Sequence, residues 1–352
     1  MQMLFYRRIL KMINQTYRLV SARQFEVTYK DKDIKGNKVV IRPTHLSICA
    51  ADQRYYTGSR GKEAMDKKLP MALIHEGIGK VMYDPTGTFK VGTKVVMVPN
   101  IPNEENEYIA ENYLRSSNFR SSGYDGFMQD YMFMDADRLV ALPDDINSYV
   151  AAFIELITIT VHSLSRFELK AHKKREHFGV WGDGNLGFIT SLILKKLYPS
   201  SKVFVFGKNE YKLEHFSFVD AVYQINNIPS EVKVDHAFEC VGGRGSESAI
   251  EQIIEFTNPE ATVALLGVTE YPVKVDTRMV LEKGITLIGS SRSGSKDFQN
   301  TVDILIKYPE IAEYLETLVG ATHTVKSIDD IIKSFEEDLT LSWGKTIMEW
   351  EI

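Results

Sequence analysis

Cysteine is nearly absent: Cys49 and Cys240 are the only two in 352 residues. That excludes a disulfide framework and any four-cysteine structural zinc site, and makes a reducing cytoplasm the natural compartment. No apolar run approaches the roughly 18 residues of a membrane span, so no membrane partner is expected. Internal repeats and low-complexity linkers are also missing. Charges of both signs are mixed along the chain, with a net charge of −5, and no broad basic face for nucleic acid emerges. At the N-terminus, Arg7, Arg8 and Lys11 interrupt the apolar residues, and no leader core or small-residue cleavage site follows. Residues 1–11 read as a dispensable tail from an upstream start codon, with Met12 as a second start.

What remains is the composition of a globular protein, 44% hydrophobic and 25% charged, long enough for two domains. From Gln15 to about Ala152 short apolar or alternating runs are separated by turn residues, among them Lys38–Arg42, Ile78–Met82 and Lys94–Val98. From about Glu155 to Ser290 strands and helices alternate. Strand candidates there are Phe178–Trp181, Lys202–Phe206, Ala221–Ile225, Val234–Glu239, Thr262–Leu266 and Thr286–Ile288. Such alternation indicates an α/β, Rossmann-type doubly wound parallel sheet. Helices are predicted around Asp297–Lys307 and Ile328–Asp338, then a last strand over Lys345–Trp350. The expected division is a β-rich catalytic domain over 12–154 plus 292–352, interrupted by a nucleotide domain over 155–291.

The most specific motif lies in the second part. The run Gly182-Asp-Gly184-Asn185-Leu186-Gly187 joins a predicted strand to an apolar helix, with a second strand following. In that context Gly-x-Gly-x-x-Gly is a dinucleotide fingerprint: a tight turn, backbone close to the pyrophosphate, and helix packed against sheet. The helix N-terminus adds unpaired N–H groups and a favourable dipole. Outside that context it would be an ordinary glycine-rich turn. NAD sites place a carboxylate about 20 residues on, against the ribose 2′-hydroxyl. Here that position holds Gly207, followed by Lys208, with Lys212 nearby. Glycine leaves room for a 2′-phosphate and the lysines offer positive charge, so NADPH is favoured over NADH. The plain alternative is that these lysines are merely solvated.

A second constellation comprises Cys49, His75, Glu76 and Glu155. Each alone is more often structural than functional. Thiolate and imidazole suit Zn²⁺, and a carboxylate and water can complete four-coordination.

The segments Ser47-Ile-Cys49-Ala-Ala-Asp52 and Leu73-Ile-His75-Glu76-Gly77 resemble the ligand segments of the zinc-dependent medium-chain dehydrogenase/reductase family. The resemblance runs from Met12 to the end, through Asp125-Gly126, the glycine fingerprint, Val234–Gly242, Leu265-Leu-Gly267 and Gly344-Lys345. It implies a GroES-like catalytic domain into which the Rossmann domain is inserted, and a glutamate presented to zinc at Glu155. It implies further that Asp52 orients His75 through its other ring nitrogen. Two features depart from better-known members. The region 100–122 lacks the four clustered cysteines of a structural zinc site. The usual proton-relay Ser/Thr and His positions hold Ala51 and Arg54.

Within the family, Ser47–Arg60, Trp181–Gly187 and Gly289–Phe298 resemble the bacterial ribulose-5-phosphate reductase branch. That implies reduction of D-ribulose 5-phosphate to D-ribitol 5-phosphate by NADPH with zinc. The product would pass to a cytidylyltransferase making CDP-ribitol for teichoic acid or capsule. A cytoplasmic homodimer is the expected form. Arg54, Arg60, Arg115 and Arg120 are the candidate phosphate ligands, since guanidinium binds phosphate bidentately. Glu76, Glu155 or water would carry the proton. Two rivals are a polyol dehydrogenase acting on unphosphorylated sugars and a non-catalytic nucleotide-binding subunit.

Overall fold

A computed structural model describes residues 11–34 and 36–352. Most of the proposed tail, residues 1–10, therefore lies outside the described residues. Lys11 does not belong with it, because it opens the first strand, Lys11–Ser21, and pairs with Asp33. By contacts the chain forms two units. One comprises the described residues through Glu155, Val319–Leu341 and Lys345–Ile352; the other comprises Leu156–Leu318 and Ser342–Gly344.

In the first unit a hairpin of Lys11–Ser21 and Gln24–Asp33 also pairs with Met71–Ala72. A seven-stranded sheet carries the candidate metal residues. Its path runs Leu139–Ala141, Lys94–Met97, Glu76–Tyr83, Val39–Ser47, Lys345–Trp350 and Val319–Val325, and Met132–Met134 pairs with Val39–Ser47 off that path. Register does the positioning. Ser47 pairs with Glu76 on one side and with Ile347 on the other, both antiparallel. Cys49, His75 and Lys345 each lie one or two residues beyond these partners, so they gather at one sheet end. Beneath them Tyr17 and Trp350 meet edge to face at 5.4 Å in an apolar core.

In the second unit six parallel strands have the order Ala221–Gln224, Lys202–Gly207, His177–Trp181, His236–Glu239, Thr262–Leu265 and Thr286–Gly289. That order reverses direction at the first strand in sequence, the switch point where doubly wound sheets bind ligands. The strands read as continuous apolar runs because both faces are covered. Trp181 and Phe206 stack across neighbouring strands with centroids 3.8 Å apart.

All six predicted strands of this sheet and both predicted helices are present. Beyond Ser291 two elements are additional, the helix Glu310–Glu316 and the strand Val319–Val325, and the segment read as β-rich also holds the helices Ala50–Tyr56 and Lys62–Lys68. The boundary expected at 291/292 differs from the contact division. Helices Ser295–Lys307 and Glu310–Glu316 cluster with the second unit, and the chain returns to the first at Val319.

Candidate metal pocket and cofactor loop

Cys49 is the N-cap of the helix Ala50–Tyr56. Its sulfur accepts the Asp52 N–H at 3.4 Å, while the Asp52 carboxylate accepts the Cys49 N–H at 3.2 Å. This reciprocal cap fixes the thiol, which donates to Asp52 Oδ2 at 2.9 Å. The other Asp52 oxygen accepts Ile74 N–H at 3.0 Å and Ser121 Oγ–H at 2.9 Å. The expected bond from Asp52 to a ring nitrogen of His75 is therefore not made. Asp52 spends its acceptors on Cys49, Ile74 and Ser121, and His75 Nδ1 is buried without a partner.

Asp52 acts on His75 through the backbone instead. Ile74 has φ of 70°, a costly conformation for a β-branched residue. It is held there by Asp52 on its N–H and by the Phe127 N–H on its carbonyl at 2.8 Å. Gly126 is required alongside, because a Cβ there would lie 2.3 Å from both the Leu73 and Ile74 carbonyl oxygens. Asp125 completes the brace by accepting Ala72 N–H at 3.0 Å and pairing with Arg18.

The turn brings His75 Nε2 to 3.8 Å from Cys49 Sγ. One ligand atom each from Cys49, His75 and Glu76 lies within 4.8 Å of the others. Glu155, at the first turn of the helix Ile154–Glu168, is 5% exposed. Burial, opposed by His75 and reinforced by Glu76, pushes its carboxyl up to about 7. The Cys49 thiol is also raised, first by burial and then by Asp52 and Glu76. Lys345 reaches into the same pocket. Its Nζ lies 2.9 Å from Glu76 Oε2 and donates to Oε1 at 3.1 Å, and both side chains are buried.

The donor set suits a divalent cation. A thiol and three carboxylates share a buried pocket with one lysine, and a cation would relieve that imbalance while lowering the thiol's proton affinity. Lys345 went unnoticed as a site residue in the sequence. The available signal was a lysine inside an otherwise apolar final strand, which burial permits only beside a carboxylate.

The four arginines differ in setting. Arg54 is half-buried, and its carbonyl accepts Arg60 N–H at 3.2 Å. Arg60 lies with its guanidinium carbon 4.5 Å from the Tyr55 ring centroid. Arg115 is exposed. Arg120 donates to the Asp125 carbonyl at 3.3 Å, and burial lowers its guanidinium to about 10 despite Asp125 and Asp135.

In the second unit the fingerprint glycines have distinct reasons. Gly182 has φ of 133°, and a Cβ on Gly187 would lie 1.9 Å from the Gly182 carbonyl oxygen. A Cβ on Gly184 meets nothing within 4 Å, so open space lies in front of that backbone. Gly184 caps the helix Asn185–Leu197 without a side-chain hydrogen bond. The N–H groups of Asn185, Leu186 and Gly187 thus form an uncapped helix start beside open space, which fits a diphosphate.

Gly207 does not hold open space, contrary to the sequence reading. A Cβ there would meet Asp183 Cβ and Leu213 Cδ2, each at 2.7 Å. Asp183 occupies the spot and accepts the N–H groups of Lys208 at 2.8 Å and Asn209 at 2.6 Å. Lys208 is exposed and Lys212 half-exposed, and neither has a carboxylate within ion-pair distance among the described residues. Glu239, fully buried, accepts N–H groups of Val241, Gly242 and Gly267 at 2.9–3.0 Å, tying together the loops after two central strands.

Residues 35–144 match the alcohol dehydrogenase GroES-like domain, and residues 202–307 match the zinc-binding dehydrogenase domain. A ribulose-5-phosphate reductase of Bacillus spizizenii is 78% identical over 341 residues, covering 97% of this chain and 100% of the relative. Ribulose-5-phosphate reductase 1 of Staphylococcus aureus is 59% identical, covering 96% of this chain and 99% of the relative. The crystal structure of S. aureus TarJ in complex with NADPH is similar, with a TM-score of 0.87 and 53% identity, covering 97% of this chain and 100% of that one. The chain belongs to the zinc-binding alcohol dehydrogenase family, within the group that contains the ribulose-5-phosphate reductases.

Proposed function

We propose that this chain is a zinc-dependent oxidoreductase that uses NADPH to reduce D-ribulose 5-phosphate to D-ribitol 5-phosphate. The observation that carries the reading is the 78% identity to a ribulose-5-phosphate reductase over that relative's entire length. The pocket chemistry agrees with it. Cys49, His75 and Glu76 would hold the metal, with Glu155 in the same pocket as proton carrier or alternative ligand. The bound groups supply Lewis-acid polarisation of the C2 carbonyl and a hydride.

The chain's own residues do the rest. Asp52 holds the Cys49 thiol and the strained Ile74 backbone, and so sets the angle at which His75 enters. Lys345 donates to Glu76 Oε1 and pairs with its charge, which restrains that carboxylate. Glu155, whose carboxyl burial and the neighbouring Glu76 raise well above the usual carboxylate range, can hold a proton for the new hydroxyl. The N–H groups at the start of Asn185–Leu197 receive the cofactor diphosphate, and Lys208 and Lys212 meet the 2′-phosphate.

The same reading places the enzyme in the cytoplasm, upstream of a cytidylyltransferase that consumes ribitol 5-phosphate for CDP-ribitol. Among the described residues no helix is long and apolar enough to cross a membrane. A second copy of the chain is the expected partner: Thr286–Gly289 is an edge strand, and Leu281 nearby is 82% exposed. The test is NADPH oxidation by purified protein across ribulose 5-phosphate, xylulose 5-phosphate, ribulose and sorbitol. Preference for sorbitol would favour the polyol dehydrogenase, and no turnover with any substrate would favour a non-catalytic subunit.

A further inference from the structure

Two cations in the first unit converge on one buried ring without a counter-charge. Tyr55 is 1% exposed, and among the described residues its hydroxyl has no hydrogen-bond partner. The Arg60 guanidinium carbon lies 4.5 Å from its ring centroid, and Lys68 Nζ lies 5.7 Å from it. Arg60 Nε is buried without an acceptor. Lys68 Nζ donates to Ser122 Oγ at 3.1 Å. Among the described residues neither cation has a carboxylate within ion-pair distance.

Several other arginines of this unit have a carboxylate within ion-pair distance. Arg18 faces Asp125, Arg23 faces Glu336, and Arg138 faces Glu111 and Asp137. Arg120 feels Asp125 and Asp135 from beyond ion-pair distance, and its Nε too is buried without an acceptor among the described residues. Arg60 and Lys68 differ in converging: two like charges flank one ring, next to a buried hydroxyl with no protein partner among the described residues. An anion between them would satisfy all three groups.

The place is right for a substrate's far end. Tyr55 lies on the helix that Cys49 caps, roughly 9 Å along the axis from that thiol. Ser122, the partner of Lys68, follows Ser121, whose hydroxyl donates to Asp52. In a ketopentose 5-phosphate, five bonds separate C2 from phosphorus. An open cleft of about 460 Å³, lined by Gly61, Lys62, Glu63, Ala64, Lys67 and Lys68, includes one of the two cations and begins at the residue after the other, Arg60, and its three lysines give an anion an approach.

We infer that Arg60, Lys68 and the Tyr55 hydroxyl form the seat of the substrate's phosphate, a sugar phosphomonoester dianion. The inference rests on the reading of this chain as a sugar-phosphate reductase. Guanidinium supplies paired donors, ammonium a point charge and the phenol a third donor. Remote binding energy of this kind holds C2 in place for reaction.

The test compares Arg60→Ala, Lys68→Ala and Tyr55→Phe holoenzymes on ribulose 5-phosphate and free ribulose, with inorganic phosphate as competitor. Arg60→Ala is expected to raise KM for ribulose 5-phosphate roughly 10- to 100-fold, the size of one charge-assisted hydrogen bond. Lys68→Ala acts in the same direction, and both leave kcat/KM for ribulose, zinc content and NADPH affinity unchanged. Phosphate competes with ribulose 5-phosphate in the wild type and loses that effect in the variants. Tyr55→Phe keeps the ring and removes only the hydroxyl, so it gives a smaller KM rise and serves if Arg60→Ala fails to fold. Equal losses on both sugars, or unchanged KM in all three, overturn the inference. A wild type that does not prefer the phosphorylated sugar overturns the parent reading instead. Wild-type preference surviving in every variant overturns this inference alone and moves the anchor to Arg54, Arg115 or Arg120.

Discussion

Lys345 Nζ lies 2.9 Å from Glu76 Oε2, and neither side chain is more than 4% exposed. The pair is buried beside Cys49, His75 and Glu155, so its worth depends on what else charges the pocket. Lys345→Met leaves Glu76 uncompensated and is expected to destabilise metal-free protein by about 3–5 kcal/mol. Added zinc should recover much of that loss, because it supplies the missing positive charge. Urea denaturation of both proteins, with zinc and with chelator, measures it. An equal loss under both conditions would show that the lysine only packs.

Metal content follows from the same pocket. Purified protein should hold about one zinc per chain: Cys49, His75 and Glu76 offer thiol, imidazole and carboxylate, whereas in the second His/carboxylate cluster, Glu176, His177 and Asp235, the Asp235 carboxylate is already taken by backbone N–H groups, Asn258 and Lys174. Cys49→Ser should lose the metal and the activity and keep its far-ultraviolet circular dichroism, because serine is nearly the same size and can still cap the helix Ala50–Tyr56. Elemental analysis giving two tightly bound zinc ions per chain would contradict this.

Asp183 accepts two backbone N–H groups of the turn that carries Lys208. Asp183→Ala frees that turn and should weaken NADPH binding about tenfold, with a smaller effect on NADH. Asp183→Asn retains an acceptor and removes a negative charge near the 2′-phosphate, so it should bind NADPH at least as well as the wild type. Gly207→Asp should weaken both cofactors, because the new side chain collides with Asp183. Fluorescence titration with each cofactor decides. Parallel losses for both cofactors in Asp183→Ala would remove its selective role.

His236 supplies a pH dependence away from the metal pocket. Burial, and secondarily His172, lowers its imidazole from 6.5 to about 4. Its Nδ1 accepts Thr262 N–H at 3.1 Å, a bond that a second ring proton would break. Between those two values the unfolded chain binds a proton that the native protein refuses. This contribution is whole above pH 6.5 and is lost as pH falls, by roughly 2–3 kcal/mol near pH 4. His236→Gln should flatten unfolding free energy against pH in that window; an unchanged slope would exclude His236 as the cause.

The parallel sheet was legible because each strand is a short apolar run between turn residues, and the glycine fingerprint stands at its switch point. The strand Val319–Val325 was not, since its burial alternates with small and polar residues and its partner is the last strand in the chain. Cys49, His75 and Glu76 could be named from residue type. Lys345 could not, because its meaning depends on the register that sets Ser47 between Glu76 and Ile347. Gly207 shows the opposite failure. Its absent side chain was read as room for a phosphate, and tertiary packing fills that room with Asp183.

The central claim is a zinc-dependent, NADPH-driven reduction of a phosphorylated ketopentose. Its most direct test is kcat/KM for ribulose 5-phosphate and for free ribulose, each with NADPH and with NADH, in zinc-loaded and chelator-stripped protein. The expected result is strong preference for ribulose 5-phosphate with NADPH, and loss of turnover on stripping that returns with zinc. Equal rates on both sugars, preference for NADH, or full activity without metal would contradict it.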